Sequence, residues 1–294
     1  MNILFILKRW DGGVGNVVKG YEKYLNRLGH KVYTLSCEDD LDAYTLRNSI
    51  RKIRKAVKKR KYDRIITNDW SLAIPLMFPF PIKFKSHYCI FHGEQSGFYS
   101  WIQRYVAFIM TTFNKLLVVG PKLARKFPRA KRVDNGVDLE IFKPLDNIKR
   151  DADHIDFANW KTDFYNYDKI VDAVGKVDRK LIVAEGLNRK TMANFYNSLN
   201  HFISLPDNAG YNLVWAEALA CGVPKIIGNN EGIGEELPIY HIEGEITEEK
   251  IVEAINKAKF INSDERNKIL NKIDINRAIK ELIEALNIND GKEN

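Results

Sequence analysis

The chain has 294 residues, is 45% hydrophobic and carries a net charge of +8, with a sequence pI near 9.1; it is long and apolar enough for two domains with buried cores, and it has no apolar run of membrane-spanning length. An apolar run precedes the first charges, Lys8 and Arg9, which is the reverse of a secretory leader. The three cysteines (Cys37, Cys89, Cys221) have no metal-ligand spacing, so a reduced, cytosolic protein is expected.

Residues 3–7 read as a buried strand, followed by the glycine turn Gly12-Gly13-Val14-Gly15. A helix over 16–28 follows, with Val17, Val18, Tyr21, Tyr24, Leu25 and Leu28 at helical spacing, and Gly29 ends it. Residues 31–36 form the next strand. Residues 47–61 predict a basic amphipathic helix, with Ile50, Ile53 and Val57 on its apolar side. It reads equally as a solvated face or as a surface drawn to an anionic membrane, worth roughly 1 kcal/mol per basic residue. Short strands are expected at 64–67, 88–91 and 115–119. Between the last two lie Phe98, Tyr99, Trp101, Tyr105, Phe108, Ile109 and Met110, which read as core more readily than as a lipid- or acceptor-facing surface. The aromatics are not interleaved with the basic run, and no nucleic-acid motif is present, so nucleic acid is not expected as a partner.

The polar stretch 144–153 suggests a boundary, giving domains 1–148 and 149–294. A second alternating set follows: strand 155–158, helix 167–177, strand 181–184, helix 190–199, strand 202–205, helix 213–220, strand 225–227, then a helical pattern over 247–286. Strands alternating with helices imply parallel sheets covered on both faces, with ligands at the carboxyl edges.

Several segments carry chemistry. The Gly12–Gly15 turn opens a helix, where backbone amides meet anions. Gly13 and Gly15 fit the first two glycines of G-x-G-x-x-G, but Val18 replaces the third. Asp69 and His92 each follow a short strand; His92 suits ligand contact near neutral pH or is a satisfied structural histidine. In 208–224, Asn208, Gly210 and Asn212 form a loop tolerant of unusual backbone angles, and Gly222 and Pro224 close the helix that follows. Glu217 lies about a turn into that helix. It is placed to accept from a ribose diol, or is an ordinary exposed helix glutamate.

The segment Asn208 to Pro224 resembles the signature E-G-F-G-x-x-x-x-E-A-x-A-C-G-x-P of retaining family 4 glycosyltransferases, with Ala209 in place of the first glutamate. The opening glycine turn with Leu25, Gly29, His30 and Val32 is similar to that family's G-G-x-G…L-x-x-x-G-H-x-V. Asn135-Gly136-Val137-Asp138, Phe142 and Pro144 match N-G-V-D-x-x-x-F-x-P, and Glu231-Gly232-Ile233-Gly234-Glu235 resembles G-G-I-P-E. The resemblance implies an α/β fold of two Rossmann-like domains with parallel sheets facing a cleft (GT-B). The acceptor-side domain would be 1–148 and a compact nucleotide-sugar domain 149–294, its last helix returning to the first. The implied activity is metal-independent transfer of a hexose, with retention, from a UDP- or GDP-sugar to a hydroxyl of a glycan, glycolipid or other acceptor, with no further cofactor. It assigns catalysis to His92, Lys161 and Glu217. It assigns the donor to Gly13, Gly15, Asp207, Asn208, Gly210, Tyr211, Asn212, Leu213 and Glu217, and the acceptor to Asp69, Glu94 and Gln95. Of the cation pair in the family's G-R-x-x-x-x-K-G, Lys161 supplies one member; Tyr165 falls near the seat of the other. Two further classes stay open: a degenerate relative that binds without turnover, and a nucleotide-dependent oxidoreductase or epimerase.

Overall fold

The computed structural model describes residues 1–10, 12–37, 43–77, 84–93, 97–150, 154–158, 161–177 and 179–288. The chain divides into two compact units, residues 1–135 with the chain from Ala278, and residues 136–277. The division falls earlier than the polar stretch 144–153.

Unit 1 contains β1 (Asn2–Leu7), α1 (Gly13–Arg27), β2 (Lys31–Ser36), α2 (Ala43–Lys59), β3 (Arg64–Thr67), α3 (Trp70–Met77), β4 (His87–Phe91), α4 (Gly97–Thr112), β5 (Leu116–Val118), α5 (Gly120–Lys126) and β6 (Lys131–Arg132). The strands form one parallel sheet in the order β2-β1-β3-β4-β5-β6. β1 is buried on both faces, as an unbroken apolar strand in the middle of a parallel sheet must be. Helix α3 was not legible as a helix because it is almost wholly apolar, so it has no amphipathic period; it packs between α2 and α4. Its Pro75 carbonyl accepts from Arg54 Nε at 2.8 Å.

Unit 2 contains β7 (His154–Phe157), α6 (Tyr167–Gly175), β8 (Lys180–Val183), α7 (Arg189–Ser198), β9 (His201–Ile203), α8 (Leu213–Ala220), β10 (Lys225–Asn229), β11 (Tyr240–Ile242), α9 (Glu248–Lys257) and α10 (Ser263–Ile273). Its parallel sheet runs β11-β10-β9-β7-β8. Ile155, Phe157, Ile203 and Ile227 from the sheet, with Leu205 just after β9, pack on Ile170 and Val174 of α6 and Ile251 and Ile255 of α9. α7 and α8 pack together, as do α8 and α10. The long helical pattern at the end of the chain is three helices: α9, α10, and α11 (Ile275–Ala285), which passes from unit 2 into unit 1 at Ala278. Asn262 and Glu265 form a reciprocal capping box that starts α10.

The Asn135–Pro144 motif has a local structural cause. Val137 N–H donates to Ile273 O at 2.7 Å, and Ile275 N–H donates to Val137 O at 3.0 Å. A Cβ on Gly136 would lie 2.2 Å from Ile275 Cα, so only glycine permits this approach. Asp138 is buried and accepts from Glu140 N–H at 3.2 Å, which fixes the turn.

Candidate active site

Each sheet has a switch point, where successive connections leave in opposite directions and the strand ends open a crevice. In unit 1 it lies between β1 and β3. The chain leaves β1 through Lys8 and the glycine turn into α1, and leaves β3 through Asn68 and Asp69 into α3. Lys8 Nζ and Asp69 Oδ2 close a 3.1 Å ion pair across it. Asp69 Oδ1 also accepts from Ser71 N–H at 2.8 Å and Ser71 Oγ at 2.7 Å, capping the first turn of α3. Asp69 is therefore at the predicted edge, but both its oxygens have protein partners.

His92 follows β4 at the same edge. Asn68 is buried; its Nδ2 donates to Ile6 O at 3.2 Å, which leaves Oδ1 as an acceptor 3.1 Å from His92 Nε2. That assigns the proton to Nε2 and leaves Nδ1 as a lone pair. Among the described residues Nδ1 is buried and has no hydrogen-bond partner. Burial lowers the His92 pKa to about 4, against a smaller upward pull from Asp69, so the ring is neutral at pH 7. A buried acceptor without a donor is a group that a ligand hydroxyl would satisfy. Glu94 and Gln95, the other expected acceptor contacts, lie outside the described residues.

Gly12 supplies the positive φ of 102° that starts α1. A Cβ on Gly15 would lie 2.1 Å from Trp10 O, whereas one on Gly13 would meet nothing within 4 Å. The two predicted donor glycines therefore differ: Gly15 lets the turn fold back on itself, and Gly13 borders open space. Among the described residues no side chain caps the N-terminus of α1, and no acidic residue lies in its first turn.

In unit 2 the switch point lies between β7 and β9. The loops leaving these strands are tied together by Asn166 Nδ2, which donates to Leu205 O at 2.9 Å and Asp207 Oδ1 at 3.0 Å, and by Asp207 N–H, which donates to Phe164 O at 2.7 Å. Asn166, Asn208 and Asn212 have φ of 52°, 60° and 58°, the left-handed region that asparagine tolerates. Asn212 spends its side chain on Ser204 Oγ at 3.1 Å and leaves the first turn of α8 without a side-chain cap. Gly210 and Tyr211 are buried, and Leu213 is half-buried at the start of α8. Gly232 sits where a Cβ would be 2.5 Å from Tyr211 O, and a Cβ on Gly234 would be 2.3 Å from Asn229 O. These glycines let 230–236 fold onto the signature loop, where Ile233 N–H donates to Tyr211 O at 2.9 Å.

Glu217 is not the exposed helix glutamate its residue type favours; it is buried, 8% exposed. Tyr196 Oη, on α7, donates to its Oε2 at 3.4 Å. Burial raises the Glu217 pKa to about 7, opposed by Arg189 and by the tyrosine hydroxyl. Arg189 opens α7, its guanidinium 5.4 Å from the Phe142 ring centroid and its Nε without a hydrogen-bond partner among the described residues. Sequence reading did not single out Arg189 or Tyr196. Their signal was the segment Gly186-Leu187-Asn188-Arg189, a strand-to-helix turn at a carboxyl edge. Lys161, in the loop after β7, is exposed and pairs with Glu185 of the loop after β8 at 2.7 Å. That pairing raises the Lys161 pKa and keeps it charged. Lys169 donates to Ile246 O at 3.0 Å, which fixes it in the scaffold.

No protein-family model and no curated protein matches the sequence. Solved structures do match the fold. A glycosyltransferase from Rickettsia africae ESF-5 aligns over 99% of this chain and 99% of its own, with a TM-score of 0.73 at 15% identity. Sucrose-phosphate synthase from Thermosynechococcus elongatus aligns over 96% of this chain and 97% of its own, with a TM-score of 0.76 at 13% identity. HepE from Anabaena, solved with UDP and glucose, covers 97% of this chain and 99% of its own, with a TM-score of 0.68 at 12% identity. The fold is therefore α/β with two parallel-sheet units, the GT-B class. At these identities the likeness is one of fold.

Proposed function

We propose that this protein is a glycosyltransferase that moves a hexose from a nucleotide diphosphate sugar to an acceptor hydroxyl, retaining anomeric configuration and using no metal. The observation that carries this reading is the switch point of unit 2. There the signature loop enters an uncapped helix, and Glu217 lies buried beside Tyr196 and Arg189. Glu217 accepts from the ribose diol. The free amides of α8 and the Lys161 ammonium face the diphosphate, whose negative charge grows as the anomeric C–O bond breaks. The acceptor oxygen forms the new bond on the same face of the sugar, and its proton passes to the departing diphosphate oxygen. Because Ala209 has no polar side chain, Asp207 and the Asn208 amide take over recognition of the sugar hydroxyls.

In unit 1, His92 Nδ1 accepts from a sugar or acceptor hydroxyl, and the amides around Gly13 approach the ligand. A UDP-sugar donor is favoured, because HepE of the same fold was solved with UDP and glucose. A second reading is a nucleotide-sugar binder without turnover. Ala209 and the Lys161–Glu185 pair favour it, the first by removing a sugar contact and the second by engaging the cation.

The test is a panel of UDP- and GDP-hexoses, with hydrolysis and transfer to simple glycans or glycolipids followed by the anomeric proton signal. Slow hydrolysis of one donor, with the product keeping the donor's anomeric configuration, supports the transferase. Binding with no turnover on any acceptor supports the second reading, and no interaction with any nucleotide sugar refutes both.

A further inference from the structure

The segment 98–110, read as core, divides in the structure, and Phe113 follows it. Val106, Ala107 and Met110 are buried, while Trp101, Tyr105, Phe108 and Phe113 are 66%, 47%, 67% and 56% exposed. At spacings of four and three residues, Trp101, Tyr105 and Phe108 form one stripe along α4, and the Trp101 and Tyr105 rings stack at 6.2 Å with an interplanar angle of 13°. With Tyr99, 59% exposed, five large exposed aromatics on one helix and its end exceed the scattered apolar residues of an ordinary surface and mark an interaction face.

The sequence that carries this stripe is basic along its length. Between Glu94 and Asp134 the sequence has no acidic residue, but it has Arg104, Lys115, Lys122, Arg125, Lys126, Arg129, Lys131 and Arg132. Between Asp42 and Asp63 it again has none. In that second stretch Ile53 and Val57 of α2 are buried, and Arg51, Lys52, Lys55, Lys58 and Lys59 are exposed. The helices lie on one face of the sheet: α2 packs on α3 and α3 on α4, and the right-handed crossover rule puts α5 there too. Lysine and aromatic side chains together suit a bilayer interface, where rings sit at headgroup level and ammonium groups meet lipid phosphates. Protein interfaces, by contrast, are depleted in lysine.

We propose that the outer face of α2 and α4 docks this protein on an anionic lipid bilayer, with Trp101, Tyr105 and Phe108 entering the headgroup region and the basic side chains of α2 engaging acidic headgroups. The inference is independent of the transferase reading, and its test has no catalytic readout.

The test is co-sedimentation of the full chain with vesicles of phosphatidylcholine alone or of phosphatidylcholine mixed equally with phosphatidylglycerol, at low and high salt. The wild type is expected to bind the anionic vesicles and to release at high salt. Trp101→Ser with Phe108→Ser, and separately Lys55→Glu with Lys59→Glu, are each expected to weaken binding about tenfold or more, equivalent to about 1.4 kcal/mol. Lys268→Glu, a charge change on α10 of unit 2, is expected to leave it unchanged. Melting curves confirm that these surface variants fold. The proposal is overturned if the wild type sediments with neither vesicle, if neutral vesicles bind equally well, or if the aromatic variant binds like wild type. A wild-type dimer in sedimentation velocity that the aromatic variant dissolves, with no vesicle binding, would assign the face to a protein contact instead.

Discussion

Glu217 shows what a residue type conceals. In the sequence it is one glutamate on a helix, and only the neighbouring motif argues for a role. In the structure its burial sets its chemistry. A carboxyl whose folded pKa is raised to about 7 from an ordinary 4.5 favours the fold when protonated, below about pH 4.5, and that contribution is lost as pH rises towards 7. Glu217→Gln is therefore expected to raise the melting temperature at pH 8 relative to wild type, by removing a buried charge worth on the order of 3 kcal/mol, while weakening nucleotide-sugar binding. Thermal denaturation from pH 5 to 8 checks this: an equal response of both proteins to pH would mean that Glu217 ionises as freely in the fold as outside it. The glycine turn gives a second contrast. Gly15→Ala drives a Cβ into the Trp10 carbonyl and is expected to cost roughly 1–3 kcal/mol, whereas Gly13→Ala fits and is expected to keep wild-type stability but lose ligand affinity. Urea titration with ligand binding separates the two. Sequence ranked these glycines alike because spacing carries no information about which carbonyl lies opposite.

Strand and helix positions were legible where the period was clear: β1, β2 and β3, α1, and α8 fall where the apolar spacing put them. β6 and β11 were too short to show a period, and α3 too apolar. The loops were less legible. Asn166 reads as an ordinary polar residue before a helix, yet it adopts φ of 52° and ties the β7 loop to the β9 loop. Asn166→Gly keeps the backbone angle and removes only the side-chain bonds. It is expected to cost about 1–3 kcal/mol and to weaken donor binding through Asp207, as calorimetry on the purified variant would show. Unchanged affinity would mean that Asp207 is held without Asn166. The histidines give a pH signature of the opposite sign to Glu217. Burial lowers His87 to about 3, and His92 and His201 to about 4. Their neutral forms contribute above the ordinary histidine range near 6.5, and that contribution is lost as pH falls from there towards 4. Wild-type stability is therefore expected to fall on the acid side through these histidines and on the alkaline side through Glu217, with a maximum between.

The resemblance implied a two-part fold whose last helix returns to the first part, and the chain from Ala278 does join unit 1; the first division lies elsewhere than composition put it. Polar composition marked 144–153, while the compact units change at Asn135–Gly136 and again at Ala278, because packing rather than composition defines a unit. Unit 1 needs the end of α11: Arg64 donates to Leu286 O at 2.6 Å and to Asn287 O at 2.9 Å, and Tyr88 Oη reaches Leu286 O at 3.4 Å. A fragment of residues 1–135 is therefore expected to lack a cooperative thermal transition, and residues 136–277 to fold alone; circular dichroism melts of the two distinguish this from independent folding of both. In the function proposed for this chain, the carboxyl edge of the second sheet holds a nucleotide diphosphate beside Glu217. Calorimetric titration of UDP and GDP into wild type and Glu217→Ala at neutral pH tests it most directly. One nucleotide is expected to bind wild type, and the variant to bind it at least about tenfold more weakly, about 1.4 kcal/mol. Absence of binding to wild type, or equal binding to both proteins, would contradict it.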